Sequence, residues 1–151
     1  MSGKAFITPL DGRECDISVV GGKAINLSKM VSAGFRVPPA IAVNSQAYEE
    51  FLDTTGLRDR IRKQLDTIDY DDAGSIVRVS SFIRDLILME PVPVRIVSEI
   101  RAGMASLDRG YYAVRSSAVA EDLGDASFAG QQDTYLNVSE SNVPAQVRRC
   151  W

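Results

Sequence analysis

Histidine is absent from the sequence. Its absence removes the side chain that most often serves as acid, base or phosphoryl carrier near neutral pH, so any histidine-dependent step must sit on another domain. Cysteine is scarce: Cys15 and Cys150 stand far apart with no CxxC spacing. Neither a disulfide framework nor a zinc site is indicated, and a reducing, cytoplasmic setting fits this usage. There is no basic excess either. With 17 Lys and Arg against 20 Asp and Glu the net charge is −3, so no nucleic-acid partner is expected. No window approaches the roughly 20 apolar residues of a membrane span, and Met1 to Leu10 lacks the apolar core of a signal peptide. No membrane partner is expected. What remains, 45% hydrophobic and 25% charged over 151 residues, is the composition of a globular domain able to bury a core without disulfides or metals.

The most informative stretch is Tyr111 to Val138, YYAVRSSAVAEDLGDASFAGQQDTYLNV. An apolar run leads into the lone Arg115, then come small and hydroxylated residues, an acidic Gly-containing loop and a second alternating run. A strand that delivers a guanidinium into a loop rich in Ser, Ala and Gly can bring a cation and backbone N–H groups to a phosphate. On these residues alone a hairpin with a long solvated loop stays open as the alternative.

A second candidate lies at Gly21-Gly22-Lys23. The following AINLSKMVSAG places Ala24, Leu27, Met30 and Val31 at helical spacing, with Gly34 as the stop. Lys23 therefore falls at a helix N-terminus, where unpaired N–H groups and the dipole attract anions. GGKAIN is neither GxxxxGK[ST] nor GxGxxG, which rules out the P-loop and Rossmann readings. A tight Gly-Gly turn followed by a solvated lysine is the plainer alternative.

The rest of the chain reads as scaffold. Ala5 to Leu10, with Pro9 near its end, predicts an edge strand or an extended entry segment, and Ala40 to Val43 predicts a strand. Asn44 or Ser45 caps a helix through Leu52 with Tyr48, Phe51 and Leu52 inward, broken by Gly56. Leu57, Ile61 and Leu65 mark a short helix whose Arg58, Arg60, Arg62 and Lys63 read as a solvated face. Asp69, Asp71 and Asp72 suit a helix start better than a calcium loop, for which the EF-hand offsets are missing. A helix over Ala73 to Met89 directs Ile76, Val79, Ile83, Leu86 and Ile87 to one side. Pro91 and Pro93 separate it from a helix carrying Val97, Ile100, Met104 and Leu107. A mostly helical block over 22–107 and a β-rich one over 111–138 give an α+β class, the two forming layers of one unit, 1–151. After the cap Ser141-Asn142 and Pro144, AQVRRCW runs two turns. The expectation is a chain truncated inside an amphipathic helix, with residues after about 140 poorly docked or self-associating through that helix.

GGKAINLSKM, VPPAIAV and AVRSSAVAEDLGDASFAGQQDTYLNV together resemble the start of the nucleotide-binding domain of the phosphoenolpyruvate synthase and pyruvate phosphate dikinase family, a start shared by rifampicin phosphotransferases. The resemblance runs from about Val19 to Trp151. It implies the first lobe of an ATP-grasp domain, with helices packed on a small, mostly antiparallel sheet. It further implies that Lys23 and Arg115 contact the phosphates of ATP, and that Gly130 and Thr134 supply backbone and hydroxyl contacts from a closing loop. Val119 stands where the family usually has Thr, and Gly124 where it usually has Pro. These departures touch the loop's stiffness and one hydroxyl contact and leave both cations in place. Magnesium is implied for the complete enzyme, with ligands from a second lobe, which leaves Glu121, Asp122 and Asp125 as loop-shaping or solvated carboxylates. The implied reaction converts ATP, pyruvate and water to phosphoenolpyruvate, AMP and phosphate through a phosphohistidine on another domain of the full-length enzyme. The isolated chain is then expected to be inactive. Two alternatives stay open: a fragment of a kinase acting on an antibiotic hydroxyl, and a non-catalytic nucleotide-binding or interaction module.

Overall fold

The structure is a computed structural model that describes residues 5–118 and 133–151. Its N-terminal part is built on two short strands, β1 (Ile7–Pro9) and β2 (Ile41–Val43), paired antiparallel with Thr8 opposite Ala42. Pro9 lies in β1 at the outside of this two-stranded pair, as a residue without an N–H requires. Between the strands run α1 (Ile17–Val20) and α2 (Gly22–Ser32). The short α1 is not visible in the sequence pattern, which offers only the apolar pair Val19-Val20. It forms because Asp16 caps it, accepting the Ser18 N–H at 2.9 Å.

After β2 the chain enters α3 (Ser45–Thr55). Asn44 is the cap, and it does two jobs: its Oδ1 accepts the Ala47 N–H, and its Nδ2 donates to the Ala5 carbonyl at 2.9 Å. One buried side chain thus satisfies a helix start and ties it to the entry of β1. Gly56, with φ of +68°, ends α3 and turns directly into α4 (Leu57–Leu65). There the arginine-rich face is solvent-exposed and ion-paired: Arg58 holds Glu49 and Asp53, and Arg60 reaches Glu90 at 2.7 Å. Then follow α5 (Ala73–Met89), capped by Asp72, and α6 (Val94–Met104), which Pro93 introduces.

Phe6, Phe51, Leu57, Ile96 and Ile100 are the largest fully buried side chains and define the core between α3, α4, α6 and the first sheet. Close approach is enforced at Gly103, where a β-carbon would sit 2.8 Å from Ile7 Cγ2 and 3.0 Å from Ile41 Cδ1. On α6 the buried stripe is Ile96, Ile100 and Met104, with Val97 only half-buried. The expected face on α5 is covered only at its C-terminal end. Leu86 and Ile87 are buried, whereas Ile76 remains 41% exposed; α4 and α7 both pack on α5. A smaller cluster of Leu10, Val20, Ala24 and Ala42 fixes α1 and α2 to the first sheet.

The second sheet is the hairpin pair β3 (Tyr111–Arg115) and β4 (Thr134–Ser139), so the described strands form two separate antiparallel pairs. Its register shifts between Tyr112 and Val114, which face Val138 and Tyr135 respectively. The extra residue is taken up at Leu136-Asn137, with Asn137 at φ of +54°. Asn is among the few residues that tolerate that conformation. The bulge changes the alternation read from the sequence: Tyr135 and Val138, three apart, both turn toward the core, while Leu136 stays 67% exposed.

A turn at Glu140–Asn142 leads to α7 (Val143–Cys150). The expectation that this region is poorly docked is overturned. Val143, Pro144 and Val147 are buried, α7 packs on β3, β4 and α5, and Arg148 donates to the Glu90 carbonyl at 2.6 Å. Trp151 stacks at 4.9 Å from the Phe51 ring and 5.7 Å from that of Tyr48. The apolar face of the helix finds its partner inside the same chain.

Candidate functional site

Lys23 occupies the first turn of α2, directly after two glycines. Gly21 is the N-cap, with φ of +80° and ψ of 168°, and it offers no side-chain cap. This combination lies in a region essentially reserved for glycine. A second requirement comes from packing. A β-carbon on Gly21 would lie 2.6 Å from both the carbonyl carbon and the Oγ of Ser117, and still nearer its carbonyl oxygen.

Ser117 supplies the missing cap from a distance of 93 residues in sequence, its Oγ accepting the Ala24 N–H at 3.1 Å. Gly22 N–H donates to the Ala118 carbonyl at 3.3 Å. Two of the N–H groups at the start of α2 are therefore paired within the protein. This revises the sequence expectation that the helix N-terminus presents its N–H groups to an anion, because orphan donors of a first turn seek the nearest acceptor. The consequence is positional: the GGK and RSS motifs form one junction.

Arg115 ends β3, two residues before Ser117, and its register partner is Thr134. Directly opposed residues on an antiparallel pair share a face, so Arg115 and Thr134 stand side by side on the exposed side of the hairpin. Pairing continues one step further, with Ser116 N–H donating to the Asp133 carbonyl at 3.1 Å. Behind Thr134, Tyr135 anchors the strand. Its hydroxyl donates to Asp133 at 3.0 Å, the Arg149 guanidinium lies 5.0 Å from its ring centre, and burial together with the Asp133 bond raises its phenol above the ordinary value.

Of the four residues expected to meet nucleotide, the structure links Lys23, Arg115 and Thr134 through this junction. Gly130 lies outside the described residues, as do Val119, Gly124, Glu121, Asp122 and Asp125. Thr134 also lines an open groove of about 610 Å³ bounded by Tyr111, Asn142, Gln146 and Arg149, which neither Lys23 nor Arg115 reaches. The residue that sequence reasoning missed is Ser117. It was legible only as one small residue of a Ser- and Ala-rich loop, since its partner is nearly a hundred positions away.

The model of the pyruvate phosphate dikinase AMP/ATP-binding domain matches residues 17–151. The chain belongs to that family. It is 44% identical to a probable phosphoenolpyruvate synthase of Staphylothermus marinus over 98% of its own length and 19% of the relative's. Against the phosphoenolpyruvate synthase of Pseudomonas aeruginosa the identity is 46%, over 82% of this chain and 17% of that protein. A rifampicin phosphotransferase of Bacillus cereus is 38% identical over 88% of this chain and 16% of its own length. The chain thus spans about a fifth or less of the curated relatives it matches. The matched region of this AMP/ATP-binding family includes both cation-bearing motifs, with Lys23 and Arg115 inside it.

Among the described residues no group of three or more His, Cys, Asp or Glu side chains is placed to hold a metal ion. No helix among the described residues is long and apolar enough to cross a membrane.

Proposed function

We propose that this chain is the ATP-binding N-terminal region of a phosphoenolpyruvate synthase-like phosphotransferase, in which Lys23 and Arg115 hold the nucleotide's phosphates. The observation that carries the reading is the junction of the two motifs, where Ser117 on the Arg115 segment caps the helix of Lys23. Two sequence-distant segments that each carry a cation meet at one seam, which suits a triphosphate, whose transfer chemistry depends on positioning and charge stabilisation. Thr134, opposite Arg115, offers a hydroxyl to the same phosphates, and Gly130 a backbone contact from the loop before it. In this reading 1–151 is one lobe of an ATP-grasp domain and the protein is cytoplasmic. Magnesium accompanies the triphosphate on ligands from beyond this chain.

The acceptor in this proposal is pyruvate, with the phosphoryl group passing through a histidine on another domain, since the chain has none. The higher identities to phosphoenolpyruvate synthases favour it over an antibiotic hydroxyl. The chain alone is then a binding module without turnover. Self-association through α7 is not part of the proposal, because Val143, Pro144 and Val147 are already buried against their own chain.

Isothermal titration of the chain with ATP tests the site. Lys23→Ala and Arg115→Ala are each expected to weaken binding by about 1.5 to 3 kcal/mol, the scale of a hydrogen bond to a charged group. Unchanged affinity in both variants would refute the assignment of the phosphates to this seam.

A further inference from the structure

We infer that Ser117 is a positioning residue for nucleotide binding: by capping α2 it fixes Lys23 relative to Arg115. The inference rests on the nucleotide site proposed for Lys23 and Arg115, and deepens it by naming what holds the two cations in register.

Three observations carry it. The Ser117 Oγ accepts the Ala24 N–H at 3.1 Å, which places the hydroxyl at the amide next to Lys23 in sequence. The Gly22 N–H, on the other side of Lys23, donates to Ala118. Lys23 is therefore bracketed by two hydrogen bonds to the segment that follows Arg115. Finally, Gly21 leaves no room for a β-carbon against Ser117, so the two segments are in direct backbone contact.

The physical consequence concerns the cost of organising the site. A lysine in a first turn is disfavoured by the helix dipole, and the cap of α2 residue Gly21 has no side chain to stabilise that turn. A distant serine restores the cap only when the β3 segment is seated. Binding energy at Lys23 is then not diminished by ordering the first turn, which is the general benefit of a preorganised site. Helix capping by a serine contributes about 1 kcal/mol, so its full loss at the site corresponds to about a fivefold change in affinity.

The test is a double-mutant cycle between Ser117→Ala and Lys23→Ala, read as ATP affinity of the 151-residue chain by calorimetry. Ser117→Ala is expected to weaken ATP about fivefold, and the loss from Lys23→Ala is expected to shrink in the Ser117→Ala background, because an unpositioned lysine has less to lose. Ser117→Thr, which keeps the acceptor oxygen, restores the affinity to within about twofold. A role confined to folding would lower the melting temperature and leave the two effects independent. Independent effects, or unchanged affinity in Ser117→Ala, overturn the inference while the site stands if Lys23→Ala and Arg115→Ala still weaken binding. If those two variants leave ATP binding unaltered, or the unmodified chain binds no ATP, the site and the inference fall together. Amide exchange gives a check that does not depend on any variant folding: the Ala24 N–H is expected to be protected in the unmodified chain. Exchange there at the rate of an unstructured amide overturns the cap.

Discussion

Gly21→Ala probes the same seam through stability, and its magnitude can be worked from the backbone and the packing separately. The conformation at Gly21, φ +80° and ψ 168°, costs a residue with a β-carbon about 1 to 3 kcal/mol. The new methyl also meets Ser117 backbone atoms, with the carbonyl carbon at 2.6 Å. These atoms are not the far end of a flexible side chain, so the 117–118 segment must withdraw. Withdrawal forfeits the Ser117–Ala24 and Ala118–Gly22 hydrogen bonds, worth roughly 1 kcal/mol each. Against this, alanine stiffens the unfolded chain and returns about 0.4 to 1 kcal/mol. The net loss is about 2 to 4.5 kcal/mol. Urea unfolding followed by circular dichroism reads it directly. With a slope of roughly 2 kcal/mol per molar for a chain of this size, the midpoint falls by about 1 to 2 M. Gly34→Ala separates the two terms. It has φ of +81° but nothing within 4 Å of its β-carbon position, so its loss is confined to backbone strain, about 1 kcal/mol. Equal midpoints for the two variants would refute the contact between Gly21 and Ser117.

Three further outcomes follow from the packing and the titrating groups. Trp151→Ala removes the indole stacked on Phe51 and Tyr48; because Trp151 is only half-buried, the loss is about 1 to 3 kcal/mol, below the full cost of deleting a core aromatic, and a chemical melt measures it. Trp151 is the sole tryptophan, so a blue-shifted fluorescence that moves red in urea reports the docking of α7, and emission already at the solvent-exposed wavelength would count against it. Burial pushes the Cys150 thiol up to about 11 from 9.0. Between those values the unfolded thiol releases its proton while the folded one keeps it, so this group's contribution to stability is present below pH 9 and is lost as pH rises toward 11. Cys150→Ser should flatten that part of the stability profile, and an unaltered slope would exclude the thiol as its source.

Much of the local structure was legible because it follows from short-range rules. The Ala73–Met89 helix could be delimited from its acidic start and the prolines beyond it, and the structure gives those bounds. Asn44, Gly56 and Asp72 act as caps or breaks where a turn-forming residue meets an apolar period. At the candidate site, Lys23 in a first turn and Arg115 at a strand end were also readable, each from its own neighbours. The burial of each face was less so. Periodicity marks which side of α5 is apolar, but not how far along the helix that side is covered: Ile76 is 41% exposed while Leu86 and Ile87 are buried.

What the sequence determined by itself was therefore the order and type of the main elements, the family, and the absence of any histidine to carry a phosphoryl group. Only the tertiary structure decided how the parts meet. The bulge at Asn137 sets which β4 side chains turn inward, Trp151 closes α7 onto Phe51, and Ser117 caps a helix 93 residues away. The reason is physical. Caps, turns and amphipathic periods are satisfied within a few residues of their own sequence, whereas an orphan amide at a helix start takes whichever acceptor the fold brings to it.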